Sequence, residues 1–256
     1  DGNVVAFVAN WGVFAVFFFT AFYLELIANL SPARIAAEFA AMAAAMWLAA
    51  AAGSWMTVRA GPARPMAGGC LLAGIGLLLV NSVLSPNVGF VSLAWSLAIV
   101  GFGLGMTFVA MTAAVLTTVP APRSGMAAST VNTSRELGGV FGVAILGAIL
   151  NGQITGSLAQ RLTALGVPAN FRAIVIDAVT HGGVPKSAPA VGPAAGHAAL
   201  VSQVIHAAEN AFVGGLHLSL LLAGAMLLAS AVAVLISGRR PGVRGRTARV
   251  YRHAAG

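Results

Sequence analysis

The chain is short of charge. Aspartate and glutamate total six among 256 residues, and charged residues of every kind make up 8%. A soluble domain carries about 25%, so this sequence cannot cover a surface that faces water. Cysteine is nearly absent as well: Cys70 stands alone in an apolar run. That excludes an internal disulfide framework and a cysteine-ligated metal site, and Cys70 reads as a small buried apolar residue. His181, His197, His206, His217 and His253 lack the spacing of metal ligands. No nucleophile–base pair, phosphate loop or carboxylate cluster is found, so neither an enzyme nor a cofactor or metal is expected.

What is present is apolar. Hydrophobic residues make up 59% of the chain, and mean hydropathy is +0.91. The formal net charge of +8 would suit a nucleic-acid partner, but six of the fourteen basic residues lie beyond Ile236. Arg239, Arg240, Arg244, Arg246, Arg249 and Arg252 form a juxtamembrane tail of the kind found on the cytoplasmic side. No nucleic acid is expected. The first residue is Asp1, and no basic n-region or cleavage site precedes the first apolar stretch. The expectation is a chain whose true N-terminus is missing.

A bilayer core of about 30 Å takes roughly 20 apolar residues in helix. Six segments qualify: 4–27, 35–56, 66–84, 88–116, 126–150 and 211–236. The loops at 57–65 and 117–125 hold Arg59, Arg64 and Arg123, on the same side as the basic tail 237–256. The positive-inside rule puts that side in the cytoplasm. Both ends of the chain are then cytoplasmic, and the protein is multi-pass in the plasma (inner) membrane. Residues 151–210 are expected as a loop on the other side, with a short amphipathic helix over 171–181.

The stretch VNTSRELGGVFGVAILGAIL, 131–150, carries the most information. Leu137–Leu150 supplies only 14 apolar residues, too few to cross, so the span must recruit the polar run before it. Arg135 is then held at depth, where an ionised side chain is costly unless it faces protein or water. Ala128, Asn132, Arg135, Gly139 and Gly142 share one helical face, which favours an inward Arg135. The other reading is a snorkelling arginine with Glu136 as its partner. Gly138, Gly139, Gly142 and Gly147 suit close helix contact, as do Gly101, Gly103 and Gly105, and Gly68, Gly69, Gly74 and Gly76. Glu25, at the end of the first span, is either a proton carrier or a wetted interfacial group. Glu38 is similar, with Arg34 one turn earlier as a partner. His217, within the last span, reads as a packed, hydrogen-bonded histidine.

RSGMAASTVNTSRELGGVFGVAILGAI, 123–149, resembles the signature region of the fourteen-span drug:proton antiporters of the major facilitator superfamily, the EmrB/QacA type. The matching residues are Pro120, Arg123, Gly125, Asn132, Thr133, Arg135, Glu136 and Gly138. ANWGVFAVFFFTAFYLEL, 9–26, is similar to their ninth span, with Glu25 in place of a glutamine. VRAGPARP, 58–65, resembles the degenerate second copy of the superfamily's loop motif. Arg59, Gly61 and Arg64 match, and Val58 replaces the aspartate. The outer-loop text is similar to actinobacterial members.

The resemblance implies an all-α membrane fold, with six transmembrane helices forming the C-terminal bundle of a longer protein. It also implies export of amphipathic or cationic small molecules by proton antiport with alternating access. Arg135, Glu136, Asn132 and Glu25 would line or gate the cavity. The partners implied are the substrates, protons, the lipid bilayer and the missing N-terminal half, which carries the main coupling acids in such proteins. A different class of function stays open beside it: a self-contained six-span channel or membrane assembly partner.

Overall fold

Long apolar runs in which serine and threonine can turn back on their own helix fold as spans without exposing polar atoms to lipid. In the computed structural model Thr57, Thr107 and Ser219 each donate to the carbonyl four residues earlier. Thr130, Thr133 and Ser134 do the same in the polar run before Glu136, which keeps that run helical. The structure describes residues 2–26, 28–84, 89–117, 119–164, 172, 176 and 198–237.

Among the described residues six long helices result. The first, α1, covers residues 2–26 as an α-helix Gly2–Phe14, a π-helical stretch Ala15–Thr20 and an α-helix Ala21–Leu26. The others are α2, Pro32–Ala60; α3, Ala63–Val83; α4, Phe90–Leu116; α5, Ser124–Ala164; and α6, Ala198–Ser237. Each contains a stretch long and apolar enough to cross a membrane. Among the described residues there is no strand.

The ends follow local chemistry. Ser31 caps α2, with Pro32 in its first turn, where a missing N–H costs nothing. Gly61 stops α2 at φ 78°, ψ 164°, a conformation open essentially to glycine alone. Pro62 then leads directly into α3.

Packing is set by glycine. Gly101 and Gly105 of α4 lie against the carbonyls of Met42 and Met46, so α2 and α4 run parallel at backbone contact. Gly138 lies against the Phe7 carbonyl and Gly142 against Trp11, so α1 and α5 are a second parallel pair. Exchanging the first three helices for the last three turns one pair into the other. That is the relation expected of two inverted three-helix repeats. Helix α3 runs antiparallel to both α4 and α6, through Gly69 and Gly103 on one side and Gly74 and Leu228 on the other. His217 Nδ1 lies 2.6 Å from the carbonyl oxygen of the Asn81 side chain, which joins α6 to α3 as a hydrogen-bonded histidine.

Several boundaries differ from the sequence expectation. Helix α5 continues to Ala164 instead of stopping at Leu150, and α6 begins at Ala198 instead of 211. The added part of α5 buries Leu158 and Leu162, four residues apart, so a polar sequence is helical because one stripe of it is covered. An apolar-run criterion sees only the membrane-spanning part of such helices. The π-helical stretch of α1 was also not expected. Gly68 and Gly147 meet nothing within 4 Å of where a Cβ would stand, so neither supports a contact. The amphipathic helix expected over 171–181 lies outside the described residues, apart from Arg172 and Ile176. The basic tail lies outside them too.

Candidate functional site

Arg135 stands where α1, α4 and α5 converge. It lies eleven positions after Ser124, the start of its helix, or roughly 17 Å of helical rise. Its guanidinium carbon sits 4.4 Å from the centroid of the Phe108 ring on α4. A cation over an aromatic face is stabilised by about 2 kcal/mol where water is excluded. Its Nε is buried and has no hydrogen-bond partner among the described residues.

The main chain at the same residue is tied to α1. Asn10 is buried at 6% exposure. Its side-chain Nδ2 donates to the Arg135 carbonyl oxygen at 2.6 Å. This is possible because the next turn presents Gly139. A Cβ there would lie 3.1 Å from that nitrogen and 2.7 Å from the Phe14 ring. Glycine at 138, 139 and 142 thus lets α1 approach closely enough for an amide to reach across.

The remaining site residues divide into two groups. Asn132 and Glu136 are exposed, as are Ser129 and Thr133 beside them. They make a polar strip on the open side of α5, flanked by the half-buried Arg135. Glu136 does not pair with Arg135, and the described ion pairs do not include it. Glu25 is exposed at the far end of α1, away from the Arg135 site. In the loop motif, Arg59 stacks on Trp55 at 4.1 Å, Arg64 is exposed, and Gly61 makes the turn.

Sequence reasoning named Glu38 but set it beside Glu25 as a similar case, and the structure separates them. Glu38 is fully enclosed, and neither carboxylate oxygen has a hydrogen-bond partner among the described residues. Arg34, the partner expected for Glu38, acts on it through its charge and not through a hydrogen bond to either oxygen. Asn10 and Phe108 were not singled out as site residues. Asn10 was legible as a polar residue in an apolar span, whereas nothing in the sequence sets Phe108 apart from twelve other phenylalanines. Among the described residues, no three of His, Cys, Asp or Glu come together as a metal-binding group.

Comparison with known proteins agrees with this architecture. A family model described as Major Facilitator Superfamily matches residues 3–175. The chain is 25% identical over 247 residues to the tetracenomycin C resistance and export protein of Streptomyces glaucescens, covering 95% of this chain and 45% of that protein. It is 25% identical over 239 residues to the multidrug efflux pump LfrA of Mycolicibacterium smegmatis, covering 91% and 44%. It is 36% identical over 141 residues to the drug efflux pump JefA of Mycobacterium tuberculosis, covering 52% and 27%. The chain spans under half the length of each of these relatives.

Proposed function

The chain belongs to the Major Facilitator Superfamily, and from that premise we propose that it is the C-terminal bundle of a drug exporter driven by proton antiport. The observation that carries the reading is the open polar strip of Ser129, Asn132, Thr133 and Glu136 on a membrane-crossing helix. Polar side chains facing lipid are costly, and such groups face protein or a water-filled cavity. A second bundle packed across a central cavity supplies both. The named activities of the relatives, export and efflux of drugs, support the substrate class.

In this reading the end of the bundle with Arg59, Arg64 and Arg123 is cytoplasmic, by the positive-inside rule. Substrate binds near the midplane between the two bundles, and rocking of one against the other alternates access. Arg135 holds a fixed positive charge at the cavity wall. Phe108 holds its guanidinium and Asn10 its backbone. Asn132 and Glu136 contact substrate or water along the open strip.

The test is made on the natural protein as encoded, in everted membrane vesicles. Addition of a cationic drug should collapse a pre-formed pH gradient in wild-type vesicles. Arg135→Ala should remove that response while the protein still inserts. A wild-type protein that moves ions without drug, or does nothing, rejects the exporter reading. The first outcome would favour a channel.

A further inference from the structure

Among the described residues Glu38 is the least reconciled group. It lies six residues into α2, roughly 9 Å from the helix start at Pro32. Its neighbours on the buried face of that helix are Met42, Ala49, Gly53 and Thr57. Because Met42 lies against Gly101 and the two helices are parallel, one turn back sets Glu38 level with Leu97. Both Leu97 and Leu93, the next turn along, are fully enclosed. A carboxylate without a hydrogen-bond donor, in such a place, is costly as an ion and acceptable as an acid.

Two further observations fall at the same level. Phe39, the next residue, stacks on Phe17 of α1 with ring centroids 4.8 Å apart. Phe17 lies within the π-helical stretch Ala15–Thr20, and π-helical turns occur often at functional sites. Thr20, which ends that stretch, is fully enclosed with its hydroxyl unpartnered, and Tyr23 one turn on is the same. Other threonines in these helices bond back to their own turn, but Thr20 does not. Adjoining parts of α1 and α2 thus hold four buried oxygen atoms without partners among the described residues: Thr20 Oγ1, Tyr23 OH and both of Glu38.

We infer that Glu38 is a proton-binding carboxyl of the transport cycle, situated in this half of the protein. The inference rests on the exporter reading above. In that orientation Glu38 lies toward the outer face, from which protons enter an antiporter. The carboxylate takes a proton from water reaching it in the outward-open state, is neutral while the site is closed, and returns the proton to water on the cytoplasmic side. No other bond is made or broken.

Few ionisable groups compete. Helix α4, the main packing partner of α2, has none along its length. On α1 the titratable groups in this region are the buried Tyr23 and the exposed Glu25. On α3 they are Arg64 and Cys70, toward the opposite end. Arg34, on the same helix, is exposed one turn nearer the outer face, and its charge acts on Glu38.

The test uses the natural protein reconstituted in proteoliposomes, with wild type, E38Q and E38D compared in two assays. One is drug uptake driven by a pH gradient. The other is drug counterflow without any gradient. E38Q should lose gradient-driven uptake, down to the level of protein-free vesicles, and keep wild-type counterflow. E38D should retain part of both. Gradient-driven uptake unchanged in E38Q overturns the inference, and so does loss of counterflow in a folded E38Q, which makes Glu38 a substrate or structural group. Uptake that follows a sodium gradient overturns the proton as ligand. Should E38Q not fold, infrared difference spectra of wild type and E38D across pH decide: the carbonyl band of a protonated carboxyl must shift between them, and its absence overturns the inference. A wild-type protein that performs neither assay overturns the exporter reading itself. Failure of E38Q alone to behave as described leaves that reading intact.

Discussion

The side chain of Asn10 reaches across Gly139 to donate a hydrogen bond to the main-chain carbonyl of Arg135, 2.6 Å away. One amide therefore fixes the height of α1 against α5 at the residue that carries the half-buried charge. The guanidinium is held separately, by the ring of Phe108.

Asn10→Ala removes that tie. Hydrogen bonds between membrane helices are worth about 1 kcal/mol, so a modest drop in the thermal midpoint of the detergent-solubilised protein is expected. Export should fall further than stability does, because Arg135 loses its register. A variant with a normal transport rate would show that the bond is only structural.

Arg135→Lys keeps the charge but not the planar group that stacks on Phe108. The stack contributes about 1–2 kcal/mol, and drug efflux should drop for Arg135→Lys and for Phe108→Leu alike. In the double variant the losses should not add, since both changes remove one contact. Additive losses in an efflux assay would mean that the two residues act separately.

Gly138→Leu and Gly147→Ala make a matched pair on α5. A Cβ at 138 collides with the Phe7 carbonyl, whereas 147 faces open space. Overpacking of this kind costs about 1–3 kcal/mol or more, so Gly138→Leu should fail to give a monodisperse peak by size-exclusion chromatography. Gly147→Ala should be neutral or gain up to about 1 kcal/mol from helix propensity. Equal behaviour of the two would contradict the close parallel pairing of α1 with α5.

The sequence made the class and the six spans readable because a bilayer imposes one simple requirement on length and polarity. Arg135 was legible for the same reason, as a charge in a segment too short to cross without it. The extensions of α5 and α6 were not. Beyond the membrane a helix needs only a covered stripe, here Leu158 and Leu162, and its partner comes from elsewhere in the chain. Glu38 and Glu25 look alike in sequence, each near one end of an apolar run. What separates them is burial against α4, which depends on the Met42–Gly101 approach and on no local signal. The π-helical stretch in AVFFFT has no signature in composition either. Gly61 was recognisable from its motif, but its physical role, a backbone conformation that ends α2, emerges only with its φ and ψ.

Cys70 offers a practical route to orientation. It is fully enclosed and is the sole cysteine, so it should stay unmodified by a membrane-impermeant maleimide in intact cells. Single cysteines introduced at Arg123 and at Asn29 can then be compared directly. Labelling at 29 from outside and at 123 only after permeabilisation is expected. The reverse pattern would invert the topology and move Glu38 to the cytoplasmic face.

Helix α3 ends at Val83, and its Asn81 meets His217 of α6. The part of α6 that precedes His217 runs for 19 residues, Ala198 to Leu216, or roughly 28 Å, and most of it lies beyond the end of α3. Helix α5 extends toward it from Leu150 to Ala164. Where the two helices meet, Gly215 of α6 lies against Leu150 and Gln153 of α5, so both extensions leave the bundle from the same end. A helical pair extended at one end of the bundle would serve as a landmark that distinguishes one side of the particle from the other in electron micrographs.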